Sequence, residues 1–147
     1  MLKHLSIKDF VIVEQIDLDL MSGFTVVTGE TGAGKSIVID AITLALGERG
    51  DISQIRMGCD RAEINALFDI SRMPDMINWL RENDLDGDYD SCLLRRIIES
   101  SGRSRSYING HGVTLHQLRH AGIFLIDIHS QHAHQTLLQK DVQRELI

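Results

Sequence analysis

Hydrophobic and polar residues alternate from the start of the chain. Leu5 and Ile7 fall on one phase, and Val11, Val13, Ile16, Leu18 and Leu20 on another, with charged residues between them. This predicts two half-buried antiparallel strands, near 2–9 and 11–20. Met21-Ser22-Gly23 breaks the alternation, and the β-branched run Phe24-Thr25-Val26-Val27-Thr28 predicts a short buried strand leading into glycines. Beyond them Ile37, Val38, Ile39, Ala41, Ile42, Leu44, Ala45 and Leu46 are apolar nearly all round a helix that ends at Gly47, which places this helix in the core.

The second half reads in the same way. Ile64, Ala66, Phe68 and Ile70 share one face of a strand over 63–70, and further strands are predicted over 92–99 and 104–109, with Asn109-Gly110 as a turn. Residues 74–83 form a helix with Pro74 in its first turn and Met76, Ile77, Trp79 and Leu80 as its apolar stripe, so Trp79 reads as core. Thr114 and Gln117 have the spacing of a capping box for a short helix through Ala121, closed by Gly122. Ile123-Phe124-Leu125-Ile126 then reads as a buried strand. Residues 135–147 have helical spacing and stop without a cap, which suggests that the natural chain continues.

Composition narrows the class. With 147 residues, 43% hydrophobic and 5% aromatic, the chain has the make-up of one soluble domain, not of a disordered, collagenous or disulfide-scaffold protein. No apolar run exceeds four residues and no signal-peptide core follows Met1–Lys3, so a cytoplasmic protein with no membrane partner is expected. Cys59 and Cys92 lie outside any CxxC or Cys/His pattern and read as reduced, buried thiols. The net charge of −6 divides into −9 over residues 1–90 and +3 over 91–147, so charge alone argues against a non-specific DNA-binding domain.

One motif carries chemistry. Gly29-Glu30-Thr31-Gly32-Ala33-Gly34-Lys35-Ser36 fits G-x-x-x-x-G-K-[ST] between a predicted strand and a predicted helix. Glycines 29, 32 and 34 let the backbone curl with positive φ and bring N–H groups onto phosphate oxygens. The helix beginning near Lys35 adds its positive end. Lys35 then reaches the β- and γ-phosphates of a nucleotide, and the Ser36 hydroxyl ligates Mg2+.

Other constellations leave alternatives open. Asp127, at the end of the apolar run 123–126, reads either as a Walker B magnesium ligand or as a strand-end hydrogen-bonding residue; Ile128 and His129 stand where a catalytic Glu would follow. Asp127, His129, His132 and His134 could ligate zinc, although their spacing matches no common zinc site. His116 and His120 share an exposed helix face. Asp84, Asp86, Asp88 and Asp90 form a solvated acidic turn and not an EF-hand, because Tyr89 and Arg95 stand where Gly and a carboxylate would be needed. Arg95, Arg96, Arg103 and Arg105 either face DNA or a phosphate, or line a solvated sheet face.

These pieces together resemble the N-terminal part of the head domain of the RecN family, SMC-like ABC-type ATPases of bacterial DNA double-strand-break repair. The resemblance covers nearly the whole chain. It rests on LKHLSIKDFVIVEQIDLDL, FTVVTGETGAGKSIVIDAITLALGER, RSRSYINGHGVTL and LIDIHSQHAHQTLL, with Ser130 and Ala133 departing from the IHGQHEHQ of similar proteins. The resemblance implies that Gln131 is the Q-loop glutamine, which reaches Mg2+ and the γ-phosphate, in place of the Walker B and zinc readings. It also implies that Arg49 lies near nucleotide or DNA.

The expected fold is therefore α/β, the N-terminal half of a P-loop NTPase of ABC/SMC-head type with an antiparallel β-subdomain. Residues 1–134 would form the half-head, and 135–147 the start of a coiled-coil helix. The signature motif, the Walker B Glu and the long coiled coil would lie further along the chain. ATP would bind between two heads, a homodimer in which hydrolysis by this segment alone is negligible, and DNA would be engaged through the full-length protein near the nucleoid. Two rival classes stand beside it: a compact P-loop kinase or GTPase using Asp127 for magnesium, and a partner-binding module acting through the 135–147 helix.

Overall fold

The computed structural model describes residues 1–20, 32–88 and 90–126, with the backbone alone over 32–36. Strands β1 (Leu2–Phe10), β2 (Val13–Asp19), β3 (Arg61–Asp69), β4 (Ser91–Glu99), β5 (Ser104–Ile108) and β6 (His111–Val113) form one antiparallel sheet in the order β2-β1-β3-β4-β5-β6. Alternation sets its two faces. Ile7, Ile64, Arg96 and Ser106 stand in one row, and Leu5, Ala66, Leu94 and Ile108 in another; both rows are buried. Ser6, Asn65, Arg95 and Tyr107 form a row on the opposite, outer face.

The β1–β2 turn has no turn-forming residue. Val11 adopts φ +55° and Asp9 φ +50°, while Ile12 stands exposed. A β-branched residue in the left-handed region is strained and persists only where its surroundings fix it. Here they do. Val11 N donates to Gln54 O at 2.7 Å, Arg56 N to Asp9 O at 2.9 Å, and Phe10 bridges Ile55, just past the 3-10 turn Ile52–Gln54.

Helix α1 (Gly32–Ala45) packs on the buried face against β3 and β4. Ile37, Ala41, Leu44 and Ala45 are buried, but Ile39 is 59% exposed, so α1 buries one stripe and not its whole circumference. Helix α2 (Pro74–Glu82) starts on Pro74 and buries Met76 and Leu80. At the Asn109-Gly110 turn both residues have positive φ, as a two-residue hairpin requires. The Asn109 side chain also accepts from Leu93 N at 2.9 Å and donates to Leu85 O at 2.8 Å. It thereby ties the 84–88 turn to β4.

Residues 115–126 form a third helix, α3. Its capping box is present: Gln117 N donates to Thr114 Oγ1 and Thr114 N to Gln117 Oε1, both at 3.1 Å. Its end differs from the sequence expectation. Gly122 does not close the helix, and 123–126 is helical instead of a buried strand. Leu118, Ala121 and Leu125 are buried at helical spacing while Ile123 and Ile126 are exposed, so the apolar run follows a 3.6-residue period. Gly122 is there for contact: a Cβ at this position would lie 2.4 Å from the Leu46 carbonyl oxygen. The predicted strand 24–28 and the segment 127–147 lie outside the described residues.

Candidate nucleotide-binding site

Helix α1 begins at Gly32, three residues before Lys35. Gly32 and Gly34 therefore belong to its first turn and are helical, which corrects the expectation that they curl with positive φ. The first N–H groups of a helix have no partner within it, and no acidic side chain occupies this turn, so it suits an anion. Ala33, Lys35 and Ser36 share these opening turns, and Gly29, Glu30, Thr31 and Gln131 lie outside the described residues. The described first turn of α1 fits a phosphate group in charge and in its helix-terminal N–H groups.

The far end of α1 is closed by protein. Gly47, at φ +109°, donates to Leu44 O and Glu48 N donates to Thr43 O, both at 3.1 Å, the pattern of a glycine-terminated helix. Arg96 comes up from β4, 1% exposed, and its Nη1 donates to Leu44 O at 2.8 Å and Glu48 O at 2.7 Å, with Nε donating to Ser104 Oγ at 3.1 Å. Burial, and secondarily the charge of Arg119, lowers the Arg96 pKa from its ordinary value. Arg119 of α3 donates from Nε to Gly47 O at 3.0 Å. Neither arginine announced this role in the sequence; the parity of Arg96, in phase with Leu94 and Ile98, was the one available sign.

Arg49 is exposed and lies just past this same end, where neighbouring Gly50 abuts Leu44 and Ile98. The 14 residues of α1 span roughly 20 Å at about 1.5 Å each, so Arg49 is remote from the first turn of its own helix.

The arginine group expected to act together is split by the sheet. Arg96 is buried. On the outer face Arg95 pairs with Glu63 at 2.8 Å and lies 5.7 Å over the Tyr107 ring, and Arg105 pairs with Glu99 at 3.2 Å. Hydrogen bonding to Tyr107, followed by the charge of Glu99, raises the Arg105 pKa. Arg103 is exposed at the start of this hairpin.

Trp79 of α2 stacks on His120 of α3 at 4.8 Å and meets Phe124 at 5.9 Å. His116 and His120 are both exposed, as expected, and His120 additionally lies over the Trp79 ring. Cys92 is buried with its thiol pKa pushed up to about 12 by desolvation, while Cys59 is only half-buried; both are free. The turn at Asp84, Asp86, Asp88 and Asp90 is solvated. Asp127, His129, His132 and His134 lie outside the described residues. The strand that was to present Asp127 as a Walker B carboxylate is replaced by the end of α3, which removes the structural basis of that reading.

The family model for an AAA domain matches residues 4–141. The chain belongs to the AAA domain family. This is a family of ATPases, in which nucleotide binding is the shared property. Two relatives are called DNA repair protein RecN: one from Xylella fastidiosa, 50% identical over 147 residues, and one from Vibrio cholerae, 47% identical over 148 residues. Each alignment takes in 100% of this chain and 26% of the relative, so the chain spans about a quarter of the length of the curated relatives it matches.

Among solved structures, an Smc head domain with an extended coiled coil, derived from Pyrococcus furiosus and bound to the C-terminal domain of ScpA, superposes with TM-score 0.64 at 22% identity. The match covers 84% of this chain and 32% of that one. The fold of this AAA domain is thus that of an SMC-type ATPase head, with the antiparallel sheet as its β-subdomain. None of its described helices is long and apolar enough to cross a membrane.

Proposed function

We propose that this chain is the ATP-binding half of an SMC-like ATPase head acting in DNA double-strand-break repair and recombination. The observation that carries the reading is the match of this chain, over its own whole length, to a quarter of proteins named for DNA repair, together with a helix that starts inside G-x-x-x-x-G-K-S and leaves its first turn free of acidic groups.

In this reading the backbone of residues 29–36 wraps the phosphates of Mg·ATP, Lys35 neutralises the β- and γ-phosphates, and Ser36 and Gln131 hold Mg2+. Magnesium held there by Ser36 and Gln131 would offset the charge of the phosphates. Arg49, at the opposite end of α1, serves DNA or the nucleotide held by a second head. Hydrolysis requires a signature motif and a Walker B Glu from elsewhere in a longer protein, so this segment alone turns over negligible ATP. The working unit is a head homodimer, engaged by ATP on DNA, in the cytoplasm near the nucleoid. The rival reading of a compact kinase or GTPase relied on Asp127 following a strand over 123–126, and those four residues are helical.

An immunoblot of cell extract with antibody against residues 1–147 tests this. A band several times larger than 16.5 kDa is expected, and a band at 16.5 kDa contradicts the half-head reading.

A further inference from the structure

The sheet ends unevenly on its β6 side. Strand β6 pairs with β5 only from Ser106 onward, and the chain then leaves at Thr114 for α3. Arg103 O accepts from Glu99 N across β4, so strand alternation turns the Ser104 N–H away from β4, toward this open side. A cleft of about 370 Å³ lies there. Its polar lining is Ser104, Arg105, Ser106, Tyr107, Thr114 and Gln117, with no carboxylate among them.

One lining group has no work within the fold. Ser106 is 7% exposed, and its hydroxyl has no hydrogen-bond partner among the described residues. Buried hydroxyls are nearly always partnered, so one left bare in the wall of a cleft is available to a ligand. Directly across the β4–β5 pairing stands Arg96, 1% exposed. It donates to two carbonyls and to Ser104 Oγ, and no carboxylate lies within ion-pair reach of it among the described residues. A buried charge without a counter-ion favours an anion nearby. Because Ser104 Oγ accepts from Arg96 Nε at 3.1 Å, its own proton is directed elsewhere and is polarised by the guanidinium behind it.

Helix α3 opens on the same cleft. Its first turn, Leu115, His116 and Gln117, holds no acidic side chain. Thr114 Oγ1 takes the Gln117 N–H at 3.1 Å, which leaves the N–H groups of Leu115 and His116 at the positive end of the helix. Gln117 Oε1 accepts from Thr114 N, so its amide nitrogen remains a donor. Arg105, held through Nε by Glu99 at 3.2 Å, adds an exposed guanidinium.

We propose that the cleft between β5 and the start of α3 is a second anion site, which takes a phosphate group. The hydroxyls of Ser104 and Ser106, the Arg105 guanidinium, the Gln117 amide and the first N–H groups of α3 are its donors, and Arg96 is the buried charge behind them. Donors supplied by a strand, a helix end and side chains suit the oxygens of a tetrahedral group better than a planar carboxylate. The site shares no residue with the phosphate motif at 29–36 and does not depend on the nucleotide reading. A free phosphate and the backbone of a DNA strand present the same group to it.

The test is a titration followed through the amide NMR shifts of Ser104, Ser106, Leu115 and His116, with Lys35→Ala as the background so that the phosphate motif does not contribute. Inorganic phosphate is one titrant and a short DNA duplex without terminal phosphates the other, at constant ionic strength set with chloride. Saturable shifts at these amides are expected. Saturation by inorganic phosphate identifies the free ion or a small phosphate ester as the source, and saturation by DNA alone identifies the phosphodiester backbone. Adding Ser106→Ala is expected to weaken that binding about tenfold, the scale of one hydrogen bond to a charged group, and exposed Arg105→Gln by at least as much. The melting temperature of Ser106→Ala stays the same or rises, because the hydroxyl has no partner to lose. Saturable shifts with neither titrant, or undiminished affinity in Ser106→Ala, overturn the proposal. So does a lower melting temperature for Ser106→Ala, which would give that hydroxyl a structural role.

Discussion

On the outer face of the sheet Arg95 holds Glu63 and covers Tyr107 in solvent. One residue along, on the inner face, Arg96 is enclosed and holds the carbonyls at the end of α1. The two side chains are identical and adjacent, and β4 turns them to opposite faces. The outer arginine sits where water screens its charge and can replace its partner. The inner one, shut away from water, donates to the Leu44 and Glu48 carbonyls, and its loss would leave Leu44 O with Gly47 N alone of these two donors. A basic cluster in a sequence is thus two populations, and strand parity decides which member is structural.

Substitutions separate the two faces, beginning with the largest effect. Arg96→Met is expected to cost about 3 kcal/mol in chemical denaturation, since it strips donors from buried carbonyls. A cost no greater than that of Arg95→Ala would break the comparison. Gly122→Ala pushes a methyl into the Leu46 carbonyl, backbone of the turn that ends α1, and should cost about 2 kcal/mol in the same assay. Thr114→Ala removes the α3 cap and should lower stability by about 1 kcal/mol. Arg95→Ala on the outer face should cost less than about 0.5 kcal/mol, and that difference should vanish in high salt.

The sheet was legible because each strand buries one face, and alternation reports that directly: Leu5, Ile7, Ile64, Ala66, Leu94 and Ile108 all point inward. Asn109-Gly110 and the Thr114–Gln117 box were legible because their chemistry is local. The seam between α1 and α3 was not. Glycine signals both helix termination and close backbone approach. At Gly47 it does both, at Gly122 only the second, and the four-residue run 123–126 is too short for periodicity to tell strand from helix. The β1–β2 turn escaped because Val11 is held left-handed by residues 54–56, far along the chain. Of the site, the phosphate motif could be read at once, since it demands glycine, lysine and serine at fixed spacing. The work of Arg96 and Arg119 depends on a partner 48 residues away for Arg96 and 72 for Arg119, for which no spacing rule exists.

The most direct test of the nucleotide assignment is a calorimetric titration of Mg·ATP into the protein and into Lys35→Ala. The account predicts saturable binding by the unsubstituted protein and none by the variant, with both unfolding at the same denaturant concentration. Equal affinity in the two would contradict it.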